Sequence, residues 1–235
     1  MSREKIISGI QDEKVISIIR GANKNNIGDV IQALYDGGIR YAEITFDQSG
    51  KVSDDETAAM ISAACEKSAG KMSIGAGTVV SEKQTELAKD AGAEFIISPN
   101  TDGVVIKRTV ELGMVSIPGA FTPSEIIAAH SFGADFVKLF PMASMDISYI
   151  KAIMAPINNV KLLAVGGVNS ENMHEYFKLG ICGLGVGSDI VNKKLLEDRA
   201  YEEIKNQLNM PVLKLGYYPT DLNFKDYNIY YDESQ

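Results

Sequence analysis

The chain has 235 residues, 45% of them hydrophobic and 23% charged, enough to bury one core of α/β-barrel size or two smaller ones. Its 31 acidic against 23 basic residues leave a formal charge of −8, which argues against nucleic acid and anionic membranes as partners; an anionic ligand must be caught by local groups against the overall field. No apolar run approaches the roughly 20 residues that span a bilayer, and the polar start MSREK lacks the apolar centre of a signal peptide, so a cytoplasmic protein is expected.

Taken in order, residues 15–20 (VISIIR) read as a buried strand ending in Arg20, followed by a Gly/Asn-rich turn and an amphipathic helix from Ile27 to Tyr35 that Gly37-Gly38 stops. The run Tyr41 to Phe46 alternates, placing Tyr41, Glu43 and Thr45 on one strand face and Ala42, Ile44 and Phe46 on the other. Ser53-Asp54-Asp55-Glu56 reads as a helix start, where acids meet the positive end of the dipole, and an Ala-rich helix follows to about Ala69. Cys65 lies in it and Cys182 far downstream, both within apolar-patterned segments, so they read as reduced packing residues rather than a disulfide.

The same unit then recurs. A strand over 72–78 leads to a helix from Ser81 to Ala91, a strand over 94–97 closed by Ser98-Pro99-Asn100 to a helix over 102–112, and a strand over 114–117 closed by Pro118-Gly119 to a helix opened by Thr122-Pro123-Ser124-Glu125. The sixth strand lies within 133–141 and its helix runs from about Ile147 to Ala155. The seventh strand is 161–165, ending in Gly166-Gly167, with a helix opened by Asn169-Ser170 that reaches Lys178. Residues 182–185 form the eighth strand, and Ser188 opens a last helix that reaches about Asn209. Eight strands each followed by a helix force a parallel sheet, so the fold class is α/β and the architecture a single (β/α)8 barrel, of the TIM-barrel kind, over residues 1–209. Residues 210–235 break the pattern with Pro211, Pro219 and five tyrosines, and form a tyrosine-rich extension that either packs on the barrel or a neighbouring subunit, or is a disordered tail.

In such a barrel ligands sit at the C-terminal ends of the strands, where Lys138, Thr78, Gly166 and Gly187 all fall. If 136–139 is a buried strand, alternation sends Phe136 and Lys138 to one side and Val137 and Leu139 to the other. An inward lysine loses hydration, its pKa falls and the free amine becomes a nucleophile able to form a Schiff base; the alternative is a lysine that lays its stem on apolar surface and keeps its charge in water. Glu43 is the acid the pattern offers beside it, as a proton shuttle or as a structural ion-pair partner. Thr78 is placed either to hydrogen-bond a carboxylate or to cap the next helix. The Gly166-Gly167 and Gly187-Ser188 pairs precede expected helices after strands seven and eight, where bare N–H groups hold phosphate, and Arg20 on the adjacent first strand adds a charged donor. His130 and His174 fall in helical segments, no His/Cys cluster has metal spacing, and no cofactor is implied.

These residues resemble the 2-keto-3-deoxy-6-phosphogluconate / 4-hydroxy-2-oxoglutarate aldolases, class I pyruvate aldolases, over roughly residues 5–209. The likeness is carried by VISIIR ending at Arg20, Gly38 to Thr45, Gly75-Ala76-Gly77-Thr78-Val79, Ile97-Ser98-Pro99, Ile117-Pro118-Gly119, Gly133 to Pro141 and Gly166-Gly167. The resemblance implies that Lys138 forms the imine with pyruvate, Glu43 moves protons, Thr78 holds the pyruvate carboxylate, and Phe140 and Pro99 wall the pocket. It also implies that Arg20, Gly166, Gly167, Gly187 and Ser188 bind phosphate, and that the protein is a homotrimer acting on a small keto acid. Three positions depart from the family pattern: Asp47 stands where the family has an arginine that contacts the substrate carboxylate, Met142 where it has a small residue, and Val165 where it has threonine.

The expected activity is therefore retro-aldol cleavage of a 2-keto-3-deoxy sugar acid, 6-phosphorylated, to pyruvate and an aldehyde such as glyceraldehyde 3-phosphate. Two other functions fit the residues. One is a phosphosugar isomerase or epimerase that uses Glu43 without an imine; the other is a non-catalytic binder of phosphosugar acids.

Overall fold

The computed structural model describes residues 2–208, and the expected extension over 210–235 lies outside the described residues. Nine strand segments, β1 (Val15–Ile19), β2 (Tyr41–Thr45), β3 (Ser73–Gly77), β4 (Phe95–Ile97), β5 (Val115–Ile117), β6 (Gly119–Ala120), β7 (Val137–Leu139), β8 (Leu162–Val165) and β9 (Gly183–Val186), pair in the order β5-β4-β3-β2-β1-β9-β8-β7-β6. Every pairing is parallel. The two ends of that order, β5 and β6, are consecutive in the chain and separated only by Pro118, which has no N–H to donate. Ser98 N–H donates to Ile117 O and Lys138 N–H to Pro118 O, so this broken stave lies between β4 and β7 and the ring closes. Nine segments thus make the eight staves expected of a (β/α)8 barrel.

The faces follow from register. Ile18 pairs with Glu43, Glu43 with Gly75, Gly75 with Phe95, Lys138 with Leu163, and Leu163 with Gly183, so these positions all face the axis. The barrel interior is an apolar cluster of Ile16, Tyr41, Phe95, Ile97, Val115, Ile117, Phe136 and Leu163. The alternate positions, among them Ile19, Ala42, Ile44, Val137, Leu139 and Ala164, meet the helices in a larger outer core. Strands buried on both faces read as continuous apolar runs, which is why periodicity alone marked them as buried.

Helix starts carry the residues that satisfy bare N–H groups. Ser53 and Glu56 form a reciprocal capping box at α3 (Asp54–Ser68), and Thr122 and Glu125 form another at α6 (Pro123–Ser131). Ser81 caps α4 (Glu82–Asp90) and Asp102 caps α5 (Gly103–Glu111). With α2 (Ile27–Asp36) and α7 (Ile147–Met154), these helices match the expected segments.

Three features differ from the sequence expectation. A further helix, α1 (Arg3–Glu13), precedes the first strand and closes the N-terminal end of the barrel, with Ile6 and Ile10 joining the interior cluster. Arg3 is tied to Asp135 by contacts of 2.9 to 3.2 Å, and Asp135 also accepts from Ser116 N–H at 2.9 Å. The helix after β8, α8 (Met173–Lys178), begins later than Asn169, because Asn169 and Asn172 bond each other's backbone in a turn first. No helix opens at Ser188. Gly187 O instead accepts from Ile190 and Val191 N–H, Asn192 caps a short α9 (Lys193–Glu197), and Arg199 at φ 51° separates it from α10 (Tyr201–Leu208).

Candidate active site

Lys138 stands on the inner face of β7, 6% exposed, with Nζ 4.5 Å from the centroid of the Phe140 ring. Burial holds its ammonium below the ordinary lysine range; Glu43 opposes this and Arg20 reinforces it. The snorkelling alternative therefore fails, because the amine lies under the mouth of a closed ring rather than in bulk water. Glu43 projects from the inner face of β2 and is 3% exposed. Burial raises its carboxyl to about 7, with Lys138 and Arg20 pulling the other way. Its Oε2 has no hydrogen-bond partner among the described residues, and none of the ion pairs there joins it to Lys138. A structural pair would have closed that contact. An amine whose charged form is disfavoured by burial and a carboxyl that exchanges its proton near neutrality thus stand on inner faces of the barrel with no ion pair recorded between them.

Glycines make this space. A Cβ on Gly77 would lie 2.5 Å from Glu43 Oε1, so the inner face of β3 must be bare for the carboxyl to fit. At the break in the fifth stave, a Cβ on Gly119 would run into the backbone of Pro99, which brings the end of β4 against β6 on the Lys138 side of the ring. Phe140 and Pro99, both half-buried, thus follow β7 and β4 at the same end of the barrel as Lys138.

Thr78 follows β3 with φ 56°, a left-handed conformation that a β-branched residue rarely adopts and that costs roughly 1–3 kcal/mol. It does not cap the next helix, since Ser81 does. What holds Thr78 is a pair of glutamines missed in the sequence. Gln48 donates its side-chain amide to Thr78 O at 2.9 Å, and the buried Gln84 accepts from Val80 N–H at 3.0 Å while donating to Asp54 at 2.9 Å. The signal for such a brace was the polar stretch Asp47-Gln48-Ser49-Gly50 after β2, whose Asp and Ser suit a tight turn.

Asp47 organises that turn. Its carboxylate accepts from Ser49 N–H at 2.9 Å, Ser49 Oγ at 2.7 Å, Lys51 N–H at 2.9 Å and Val52 N–H at 3.0 Å. The Ser49 backbone and hydroxyl, then the Val52 and Lys51 amides, lower its pKa to about 2. The carboxylate that replaces the family arginine therefore stays ionised, with its oxygens bonded within its own loop.

Arg20 follows β1, which pairs with β9 as expected of a closed barrel. It is exposed, yet its charge acts on both Glu43 and Lys138, which places it over the mouth. Gly166 and Gly167 follow β8 with φ 89° and 82°; a Cβ on the first would crowd Phe140 and one on the second would collide with Ala143. Gly187 and Ser188 follow β9 in a turn. Neither glycine pair directly precedes a helix as the sequence suggested, because α8 begins only at Met173 and Ser188 lies in a turn. Among the described residues no group of three or more His, Cys, Asp or Glu is arranged to hold a metal ion, and no helix is long and apolar enough to cross a membrane. Cys65 and Cys182 are both free thiols.

Comparison with known proteins bears on this arrangement. A family model described as KDPG and KHG aldolase matches residues 6–207. A probable 2-dehydro-3-deoxy-6-phosphogalactonate aldolase of Rhizobium meliloti is 35% identical over 181 residues, covering 76% of this chain and 82% of the relative. A 2-dehydro-3-deoxy-phosphogluconate aldolase of Haemophilus influenzae is 30% identical over 203 residues, covering 86% of this chain and 92% of the relative. The crystal structure of KDPG aldolase from Legionella pneumophila, with pyruvate captured as a covalent carbinolamine intermediate, superposes with a TM-score of 0.77 at 26% identity, covering 86% of this chain and 96% of the other.

Proposed function

Because the chain belongs to the KDPG and KHG aldolase family, we propose that it is a class I lyase acting on a 2-keto-3-deoxy-6-phospho sugar acid through an imine on Lys138. The observation that carries this reading is the buried, unpaired placement of Lys138 and Glu43 on facing staves at the barrel mouth. The named substrates of the relatives, phosphogalactonate and phosphogluconate derivatives, differ in configuration but share the keto-acid end and the phosphate, and both ends have candidate partners here.

The free amine of Lys138 attacks the C2 ketone to give a carbinolamine. Glu43, which exchanges its proton near neutrality, protonates the departing hydroxyl so that water leaves and the iminium forms. Glu43, now a carboxylate, takes the C4 hydroxyl proton. The C3–C4 bond breaks, its electrons pass into the enamine, and the aldehyde leaves, glyceraldehyde 3-phosphate in the case of a six-carbon substrate. Protonation at C3 and hydrolysis of the imine return pyruvate and the free lysine. Thr78 holds the carboxylate, Phe140 and Pro99 keep the reacting carbons out of water, and Arg20, Gly166, Gly167, Gly187 and Ser188 take the phosphate. A homotrimer is proposed with this reading, with the exposed apolar side chains Val80, Val104, Phe121 and Ile127, on and beside the successive neighbours α4, α5 and α6, as candidates for its contact surface.

Borohydride reduction in the presence of pyruvate tests the proposal. It is expected to add one pyruvate to wild-type protein on Lys138 and none to Lys138→Ala, with retro-aldol turnover lost in that variant. An active Lys138→Met beside an inactive Glu43→Gln would replace the imine with isomerase or epimerase chemistry. Tight binding of phosphosugar acids with no turnover of either epimer would leave only a binding protein.

A further inference from the structure

The loop after β2 does more than connect. Asp47 gathers three backbone N–H groups and the Ser49 hydroxyl, which fixes residues 47–52 into one turn and sets Gln48 on its crest. From there the Gln48 amide reaches 30 residues along the chain to the carbonyl of Thr78, at 2.9 Å. Thr78 is the residue at the site whose backbone is in an unfavourable conformation, and two residues on, Val80 is fastened by Gln84. Gln48 and Gln84 also approach each other, at 3.5 Å, and Gln84 in turn leans on Asp54 at the start of α3. The strained backbone is therefore gripped at the carbonyl of Thr78 and at the amide of Val80, with the Thr78 hydroxyl left out of that grip.

We infer that Gln48 is a positioning residue for keto-acid binding: its amide holds the Thr78 backbone in the left-handed conformation that presents this residue to the carboxylate end of the substrate. Asp47 supports it by shaping the turn. The inference rests on the aldolase reading and on the role of Thr78 within it. An arginine at position 47 could reach a substrate carboxylate directly; this chain uses the same position to brace a neighbouring ligand instead. It follows that Asp47→Arg weakens keto-acid binding rather than improving it, because the turn loses its acceptor.

The test uses Gln48→Ala and Gln48→Glu, the second keeping the length and shape of the side chain while removing the donor. Gln48 is exposed, so neither change empties the core. Both variants are expected to raise KM for the phosphorylated keto-deoxy acid, and the pyruvate concentration for half-maximal borohydride trapping, by on the order of five- to tenfold, the usual weight of one hydrogen bond. In both, kcat is expected to stay within about twofold and inhibition by inorganic phosphate to stay unchanged, since an interaction lost equally in ground and transition states moves KM alone. Unchanged half-saturation in both variants overturns the inference. So does a wild-type-like Gln48→Glu beside a defective Gln48→Ala, which would assign the effect to shape rather than donation. A joint loss of kcat, phosphate inhibition and melting temperature overturns it too, as general loosening of the loop. Wild-type protein that traps no pyruvate at all sinks the aldolase reading, and this inference with it.

Discussion

Replacing Glu43 by glutamine should change the pH dependence of stability as well as activity. A carboxyl raised from 4.5 to about 7 by burial is protonated in the folded chain over a range where it is ionised in the unfolded chain. The folded state then binds more protons than the unfolded one, so stability that is full below about pH 4.5 is lost as pH rises through about 7. At about 1.4 kcal/mol for each tenfold difference in proton affinity between the two states, the loss is about 3 kcal/mol, an upper bound because water entry and relaxation lower the effective penalty. Lys138 runs the other way: with a depressed pKa it favours the folded state as pH rises toward the ordinary lysine range. Glu43→Gln keeps the size of the side chain and removes the titration. Urea unfolding of both proteins at about pH 5 and pH 8 isolates the group together with its coupling to Lys138, because titrations that Glu43 does not touch cancel in the difference. The variant is expected to gain up to about 3 kcal/mol on wild type between the two pH values while kcat falls by roughly 10²–10⁴-fold. Parallel stability curves would refute the claim that this carboxyl is buried and held protonated near neutrality.

Lys138→Met removes the cation that pulls Glu43 down, so the pH window over which stability is lost should move upward, read in the same urea experiment. Gly77→Ala would place a methyl 2.5 Å from Glu43 Oε1 and should cost about 1–3 kcal/mol in unfolding free energy together with a large drop in kcat. Gly167→Ala imposes a side chain at φ 82° against Ala143; it should raise KM for the phosphorylated substrate by about tenfold, while pyruvate trapping changes little. At the opposite end of the barrel, Asp135→Asn weakens the tie to Arg3, which is 29% exposed on its side chain, and should cost about 2 kcal/mol in unfolding free energy with KM and kcat unchanged.

The order of strand and helix was written in the chain because each unit has its own local chemistry: a buried apolar run, a turn, then a capped amphipathic helix. That repetition sufficed for a parallel barrel, and the period of two along a strand sufficed to aim Lys138 and Glu43 inward, since neither inference needs a contact between distant residues. Helix α1 escaped because its cue was a capping Ser2 and two isoleucines four apart, a pattern that becomes legible only once there is an open barrel end for Ile6 and Ile10 to cover. Position 47 shows the limit most clearly. A carboxylate by itself promises repulsion of an anionic substrate; whether it does so depends on how many N–H donors the following five residues fold back upon it. The amino acids determined which groups could react and which face of each strand carries them. Closure of the ring decided that the amine and the acid stand on facing staves with no ion pair between them among the described residues, and that Gln48 bonds the backbone of Thr78, thirty residues away, because those relations are distances across the barrel rather than spacings along the chain.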